Sequence, residues 1–263
     1  MSHIIINPNL SSDMKKIITF CLLLSPLFLL AQTSGKIKYT ETMKVEIPDR
    51  LPKEFRDRIP KERKINKELY FNKTTSTYKN GVNIRRGEGE AGDGDGRRFR
   101  FRGGGGGNTN AITYKDLENN LGVDNRDIMG KQFIIEETLE KSKWKVTGQK
   151  KTILGYMVME ATSTINDTIP VTAFFAPQIP ISNGPGMHQG LPGMILEINI
   201  DSGRRVIAAT EVELINIEAK DLEKPSTGKK VTKEEFNEIR KEKMKEMREQ
   251  RGGRGGVRFR TGG

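Results

Sequence analysis

The alternation of apolar and polar residues predicts β-strands over most of the chain. The first strand-like stretch places Ile37, Tyr39, Met43, Val45 and Ile47 on one side and mostly lysines and threonines on the other. A period of two is typical of a strand that is buried on one face. Similar stretches follow at residues 68–78, 111–114, 131–135, 143–147, 155–163, 170–175, 194–200 and 205–215. Turn residues separate most of them, which indicates an antiparallel meander.

Two segments have a helical pattern instead. Residues 53–59 predict one or two helical turns with Phe55 and Ile59 facing inward, and Thr232 with Glu235 has the spacing of a capping box that opens a charged helix ending near residue 250. We therefore expect an α+β fold, mainly β. It would be a curved antiparallel sheet or half-barrel of eight or nine strands, with a short covering helix and a charged C-terminal helix that projects outward.

Residues 14–31 have the pattern of a cleavable signal peptide. Lys15 and Lys16 precede an apolar run, and Ala31 supplies the small residue before a cut expected between Ala31 and Gln32. The run is shorter than the ~20 residues that a membrane-spanning helix needs, although an uncleaved anchor stays open as the alternative. We predict an extracytoplasmic location, in the periplasm or cell envelope, and no transmembrane span in the mature chain.

Composition divides the rest of the chain. The 28 glycines concentrate in two low-complexity stretches. We predict an upstream extension at 1–13, an antiparallel β domain at 32–217 with a disordered Gly/Arg-rich insertion at 85–108, a linker and charged helix at 218–251, and a disordered Arg/Gly-rich tail at 252–263.

The formal net charge of +11 favours anionic partners. Candidate contacts to a polyanion, such as an envelope glycan, are Arg251, Arg254, Arg258 and Arg260. Export makes nucleic acid an unexpected partner, and a flexible spacer is the competing interpretation of these segments. The single cysteine, Cys21, lies in the signal peptide, so the mature chain carries no disulfide and no thiolate nucleophile.

A string from Pro180 to Glu197 contains Gly190-Leu191-Pro192-Gly193-Met194-Ile195, which resembles the signature of the GLPGLI family of secreted Bacteroidota proteins. Trp144-Lys145, Gly155-Tyr156 and Ala161-Thr162 precede it in the order that family members have. The resemblance implies export and envelope residence, and no particular chemistry. Val158 stands where many members have a cysteine. Taken by itself, Leu191-Pro192-Gly193 predicts a type II turn, read either as a structural turn or as a lip over a ligand cavity.

These observations favour a non-catalytic envelope binding or accessory protein that holds a hydrophobic or lipid ligand or docks to an outer-membrane partner. The candidate binding residues are Trp144, Tyr156, Pro185, His188, Gly190, Leu191, Pro192 and Gly193. Because His188 is the only histidine of the mature chain, we expect no metal site and no cofactor. The alternatives are a hydrolase or isomerase that uses Asp/Glu and His188, and a surface-assembly or polyanion-binding protein that acts through its Arg/Gly-rich segments.

Overall fold

The structure, a computed structural model, describes residues 33–81, 111–139 and 143–252. The predicted upstream extension, signal peptide and Gly/Arg-rich insertion lie outside these residues, as does the predicted tail beyond residue 252.

Within the described residues, twelve strands form one open sheet in the order β12-β6-β5-β4-β3-β2-β1-β11-β10-β9-β8-β7. Their bounds are β1 Gly35–Lys44, β2 Glu62–Phe71, β3 Thr75–Asn80, β4 Ile112–Asp116, β5 Leu121–Ile128, β6 Lys131–Thr138, β7 Lys145–Ile153, β8 Tyr156–Ile165, β9 Ile169–Ala176, β10 Met194–Ile200, β11 Arg205–Glu213 and β12 Lys229–Val231. Neighbouring strands are antiparallel, except that β12 is parallel to β6. The predicted α+β, mainly β class is confirmed, with more strands than the expected eight or nine.

Strand β1 follows its predicted alternation. Ile37 and Tyr39 are buried and define what we call the inner face of the sheet, on which Leu69 of β2 also lies. The strand ends at Lys44, so the prediction that Val45 would continue the buried side is wrong, and Val45 is 38% exposed. Glu41, which shares the apolar side, is buried.

Three of the observed strands were not predicted as separate strands. The stretch predicted as one strand at 68–78 contains a turn, because the Asn72 side-chain oxygen accepts the backbone N–H groups of Thr74 and Thr75 and so separates β2 from β3. Strand β5 contains Asp124, Asn125, Arg126 and Asp127, which hide any apolar alternation. The third addition, β12, is only three residues long.

Two α-helices lie within the described residues. Helix α1 (Lys53–Arg56) is a single turn without buried residues, and Phe55 is 57% exposed, so its predicted inward orientation is wrong. Helix α2 (Lys233–Gly252) begins with the predicted capping box, in which Thr232 and Glu235 exchange hydrogen bonds of 2.9 and 3.1 Å. No helix in the described part of the chain is long and apolar enough to cross a bilayer.

The start of helix α2 packs on the sheet instead of projecting freely. The Phe236 ring lies edge-on to the Phe133 ring of β6, with centroids 5.7 Å apart, and Ile239 packs against the same cluster. Beyond these two residues Met244 is exposed and Met247 is half-buried. The first turns therefore anchor the helix, and only its later turns match the expected outward projection.

Residues 177–193, here called the crossing segment, connect β9 to β10. Three of its apolar side chains, Ile179, Ile181 and Leu191, are buried in the main core together with inner-face residues of β1 and β2. A Cβ on Gly122 of β5 would lie 3.0 Å from the Met187 sulfur. The segment therefore runs over the inner face from β10 as far as β5.

Candidate functional site

The crossing segment is fastened to the sheet by polar contacts at both of its sides. The Lys115 side-chain amine of β4 donates to the carbonyl oxygens of Gly184, at 2.8 Å, and His188, at 3.2 Å. Before β7, the Trp144 indole N–H donates to the carbonyl oxygen of Gln189 at 2.8 Å. The segment is therefore held by its own backbone carbonyls as well as by its apolar side chains.

The turn in this segment differs from the predicted type II turn. The Gly193 N–H bonds to the Leu191 carbonyl across three residues, because the Met194 N–H is taken by the Ile179 carbonyl. Gly193 has φ +153°, and a Cβ there would lie 2.4 Å from the Ala176 carbonyl oxygen. Glycine is required at this position by the close approach of the chain.

The structure brings most of the predicted binding residues together. Trp144 contacts the crossing segment, which itself contributes six of the candidates: Pro185, His188, Gly190, Leu191, Pro192 and Gly193. Leu191, Pro185 and Gly193 are buried, while Gly190 and Pro192 are exposed. Tyr156 of β8 is half-buried against the main core. Six of the eight candidates therefore lie in the segment that runs over the inner face.

The structure does not describe the side chains of the four arginines that were predicted to contact a polyanion. Arg251 lies in the last turn of helix α2, where its side chain is not described, and Arg254, Arg258 and Arg260 lie outside the described residues. Polyanion binding through these arginines stays a prediction.

His188 is surrounded by cations. Burial lowers its pKa to about 4, and the positive charges of Lys115 and Arg205 contribute to the same shift. At neutral pH the imidazole is therefore uncharged.

Lys115 is fully buried at the base of the site. Burial lowers its pKa to about 7, against a smaller opposing effect of Asp124. A neutral amine has two N–H donors, and two carbonyl oxygens accept from it. The environment therefore suits the neutral lysine.

A continuous set of polar side chains crosses the inner face beside the crossing segment. We call it the polar row; it consists of Arg205 (β11), Glu41 (β1), Lys67 (β2), Tyr78 (β3), Thr113 (β4), and Asp124 and Arg126 (β5). Strand register places it: Lys67 is opposite Tyr39, Tyr78 is opposite Thr113, and Thr113 is opposite Asp124. The row therefore joins six neighbouring strands.

Both carboxylates of the polar row have partners within it. Glu41 forms an ion pair with the Arg205 guanidinium, with 2.8 Å between the nitrogen and the oxygen. Asp124 accepts from the Thr113 hydroxyl at 2.5 Å and from Arg126 at 2.7 Å.

Two donors of the row have no acceptor within the described part of the chain. The Lys67 ammonium lies 5.6 Å from the centre of the Tyr78 ring, and no oxygen among the described residues accepts a hydrogen bond from it. The Tyr78 hydroxyl is buried without a hydrogen-bond partner. Burial lowers the pKa of Lys67, while the carboxylates of Glu41 and Asp124 oppose that shift. Burial raises the pKa of Tyr78, so the phenol keeps its proton around pH 7.

Sequence reasoning missed the polar row. One signal was available: Glu41 occupies a position on the apolar side of the alternating pattern between Tyr39 and Met43. A charged residue at a core position needs a partner, which here is Arg205, far along the chain. The other members of the row lie at positions that carry no comparable local signal.

The crossing segment also carries the likeness to a known family. Residues 162–197 match a family model whose description is "Protein of unknown function (Porph_ging)". The match runs from β8 through the crossing segment into β10. It includes the Gly190–Ile195 string, while the GLPGLI label itself stays a prediction.

Solved structures of similar fold are distant in sequence. Two structures of PNGF-II, in the P21 and C2 space groups, have TM-scores of 0.51 and 0.52 with 13% identity and cover 79% and 80% of this chain. The chain spans 33% of the length of PNGF-II. An uncharacterized conserved protein from Thermus thermophilus aligns over 85% of this chain and 100% of its own, with 7% identity and a TM-score of 0.39. No curated protein matches the chain. The PNGF-II likeness concerns the fold alone.

Proposed function

We propose that this chain is an exported cell-envelope binding protein without catalytic activity, which receives its ligand on the inner face of the sheet beside the crossing segment. The observation that carries the proposal is the polar row, a set of charged and hydroxyl groups beside a segment whose apolar side chains Ile179, Ile181 and Leu191 are packed in the core. Binding sites commonly combine a rigid apolar surround with a few convergent polar groups.

Export and envelope residence rest on the predicted signal peptide at 14–31. The match to an uncharacterised family found in Bacteroidota is compatible with that location.

A polar ligand fits this face better than the predicted lipid. The apolar part of the inner face is filled by Ile181 and Leu191, so a lipid would have to displace them from the core. Docking to an outer-membrane partner through helix α2 and the tail is a separate proposal.

The geometry does not favour the hydrolase or isomerase alternative. A histidine with a pKa of about 4 is a weak general base at neutral pH, and the charged groups that act on His188 are both cations.

The test is native mass spectrometry of mature protein recovered from its own envelope fraction, followed by hydrogen exchange before and after mild removal of any adduct. We expect a non-protein mass, and faster exchange of β2–β5 and residues 182–190 once it is removed. Edge strand β7 serves as the internal control and should not change. Absence of an adduct, or protection confined to β7, would contradict the proposal.

A further inference from the structure

We propose that the polar row binds an oxyanion, the carboxylate or phosphate group of a small ligand, through the Lys67 ammonium and the Tyr78 hydroxyl. Arg126 and Arg205 flank this anion site. The inference rests on the proposed function, since it names the chemical class of ligand for the same face.

The charge balance of the row leaves one cation in excess. Lys67, Arg126 and Arg205 face the two carboxylates of Glu41 and Asp124. Each carboxylate already forms an ion pair with an arginine, at 2.8 and 2.7 Å. Lys67 is the remaining charge, and Lys115, two residues from Thr113 on the same face of β4, adds positive charge when it is ionised.

The row also has donors but lacks acceptors for them. An ammonium donates three hydrogen bonds and a phenol donates one, and within the described residues neither Lys67 nor Tyr78 has an oxygen to receive them. Ser76, Thr77, Asn183 and Asn199 also keep a buried polar atom without a partner. The Tyr78 hydroxyl differs from these because its ring contacts a half-buried lysine that has no hydrogen-bond acceptor among the residues that the structure describes. An oxyanion would satisfy both groups with charge-assisted hydrogen bonds.

The two arginines of the row are more exposed than Tyr78. Tyr78 is 5% exposed, whereas the side chains of Arg126 and Arg205 are 34% and 45% exposed. An anion would pass the two guanidinium groups and reach a less hydrated position, where its attraction to an ammonium is stronger than in water.

The test is titration of the mature protein by calorimetry with two probes, inorganic phosphate and succinate. We expect Lys67→Met to weaken binding by about tenfold or more, because it removes the charge-assisted bonds, and Tyr78→Phe to weaken it by a smaller factor. Lys64→Met is the matched control, since Lys64 lies on the outer face of the same strand and should leave affinity unchanged.

Thermal unfolding of the same variants separates binding from folding. Tyr78→Phe should leave the melting temperature unchanged or raise it while affinity falls, a combination that a merely structural hydroxyl would not produce. A loss confined to phosphate, or to succinate, assigns the ligand group. If Lys67→Met binds both probes as well as Lys64→Met does, or if neither probe binds, the oxyanion site is refuted. A bound adduct over β2–β5 would then leave the broader binding proposal standing with a ligand of another class.

Discussion

Tyr39 and Tyr78 are buried on the inner face, in edge-to-face contact with ring centroids 6.1 Å apart. They differ in the hydrogen bonding of their hydroxyl groups. Under the crossing segment, the Tyr39 hydroxyl donates to the Ile195 carbonyl at 2.7 Å. In the polar row, the Tyr78 hydroxyl has no partner within the described residues. A backbone carbonyl oxygen of the chain therefore satisfies the Tyr39 hydroxyl, whereas no described group satisfies the Tyr78 hydroxyl.

The two lysines on this face show a related difference. Lys115, under the crossing segment, is fully buried and bonds to two carbonyl oxygens. Lys67, in the polar row, is half-buried and contacts the face of the Tyr78 ring, without a hydrogen-bond acceptor among the described residues. Under the crossing segment, the buried donors are satisfied by backbone carbonyl oxygens, which stabilises the fold. In the polar row, the donors of Lys67 and Tyr78 are left for a ligand.

Truncation of a buried side chain of the crossing segment should have the largest effect on the free energy of unfolding. Leu191 is 2% exposed within the main core, so Leu191→Ala should lower the free energy of unfolding by about 2–5 kcal/mol through lost burial and a residual cavity. Urea unfolding measures the change. The matched control is Leu154→Ala at a position 46% exposed, where a change of similar size would contradict the assignment of Leu191 to the core.

A methyl group that crowds the backbone at Gly193 should have the second largest effect on the free energy of unfolding. Gly193→Ala places a Cβ 2.4 Å from the Ala176 carbonyl oxygen, so we expect a loss of about 2 kcal/mol or more in the free energy of unfolding. Gly155→Ala is the control, because Gly155 also has positive φ, +82°, but a methyl group added there would meet nothing within 4 Å. Equal losses in urea unfolding would rule out the close approach as the cause.

Removal of the buried lysine tests the attachment of the crossing segment. Lys115→Met leaves the carbonyl oxygens of Gly184 and His188 without their donor, which should reduce stability at pH 9 by about 1–3 kcal/mol. Lys64→Met, on the outer face of β2, should have little effect.

The same variant has a pH signature. Because the pKa of Lys115 is lowered to about 7 from 10.5, the unfolded chain binds more protons between these values, and this group makes stability rise with pH from about 7 to about 10.5. Lys115→Met should lose that rise. If the two proteins show the same pH dependence of urea unfolding over this window, the buried amine is not neutral in the folded state.

The smallest expected change in the free energy of unfolding comes from removing the hydroxyl group of each of the two tyrosines. Tyr39→Phe breaks a buried hydrogen bond and should cost about 1 kcal/mol, whereas Tyr78→Phe removes a hydroxyl without a described partner and should be neutral or slightly stabilising. Thermal unfolding in buffer without phosphate or carboxylates checks the pair. Equal losses would mean that the Tyr78 hydroxyl is satisfied in solution by water.

Several features of the fold could be predicted from neighbours in the sequence. The alternation of Ile37 and Tyr39 identified β1, and Thr232 with Glu235 identified the start of helix α2. These signals are local, because strand periodicity and helix capping depend on residues a few positions apart. The same locality explains why Phe55 was misplaced: a one-turn amphipathic pattern does not specify a surface to pack on.

The sequence by itself therefore determined the mainly β class and most strand positions, and it singled out the segment around Leu191-Pro192-Gly193 as a candidate site. Only the tertiary structure decided that this segment crosses to Lys115, and that Glu41, Lys67, Tyr78, Asp124 and Arg205 meet in one row. The reason is physical: strand pairing and register bring residues from positions 41 to 205 onto one face, and each of them, taken alone, is an ordinary polar residue in a strand.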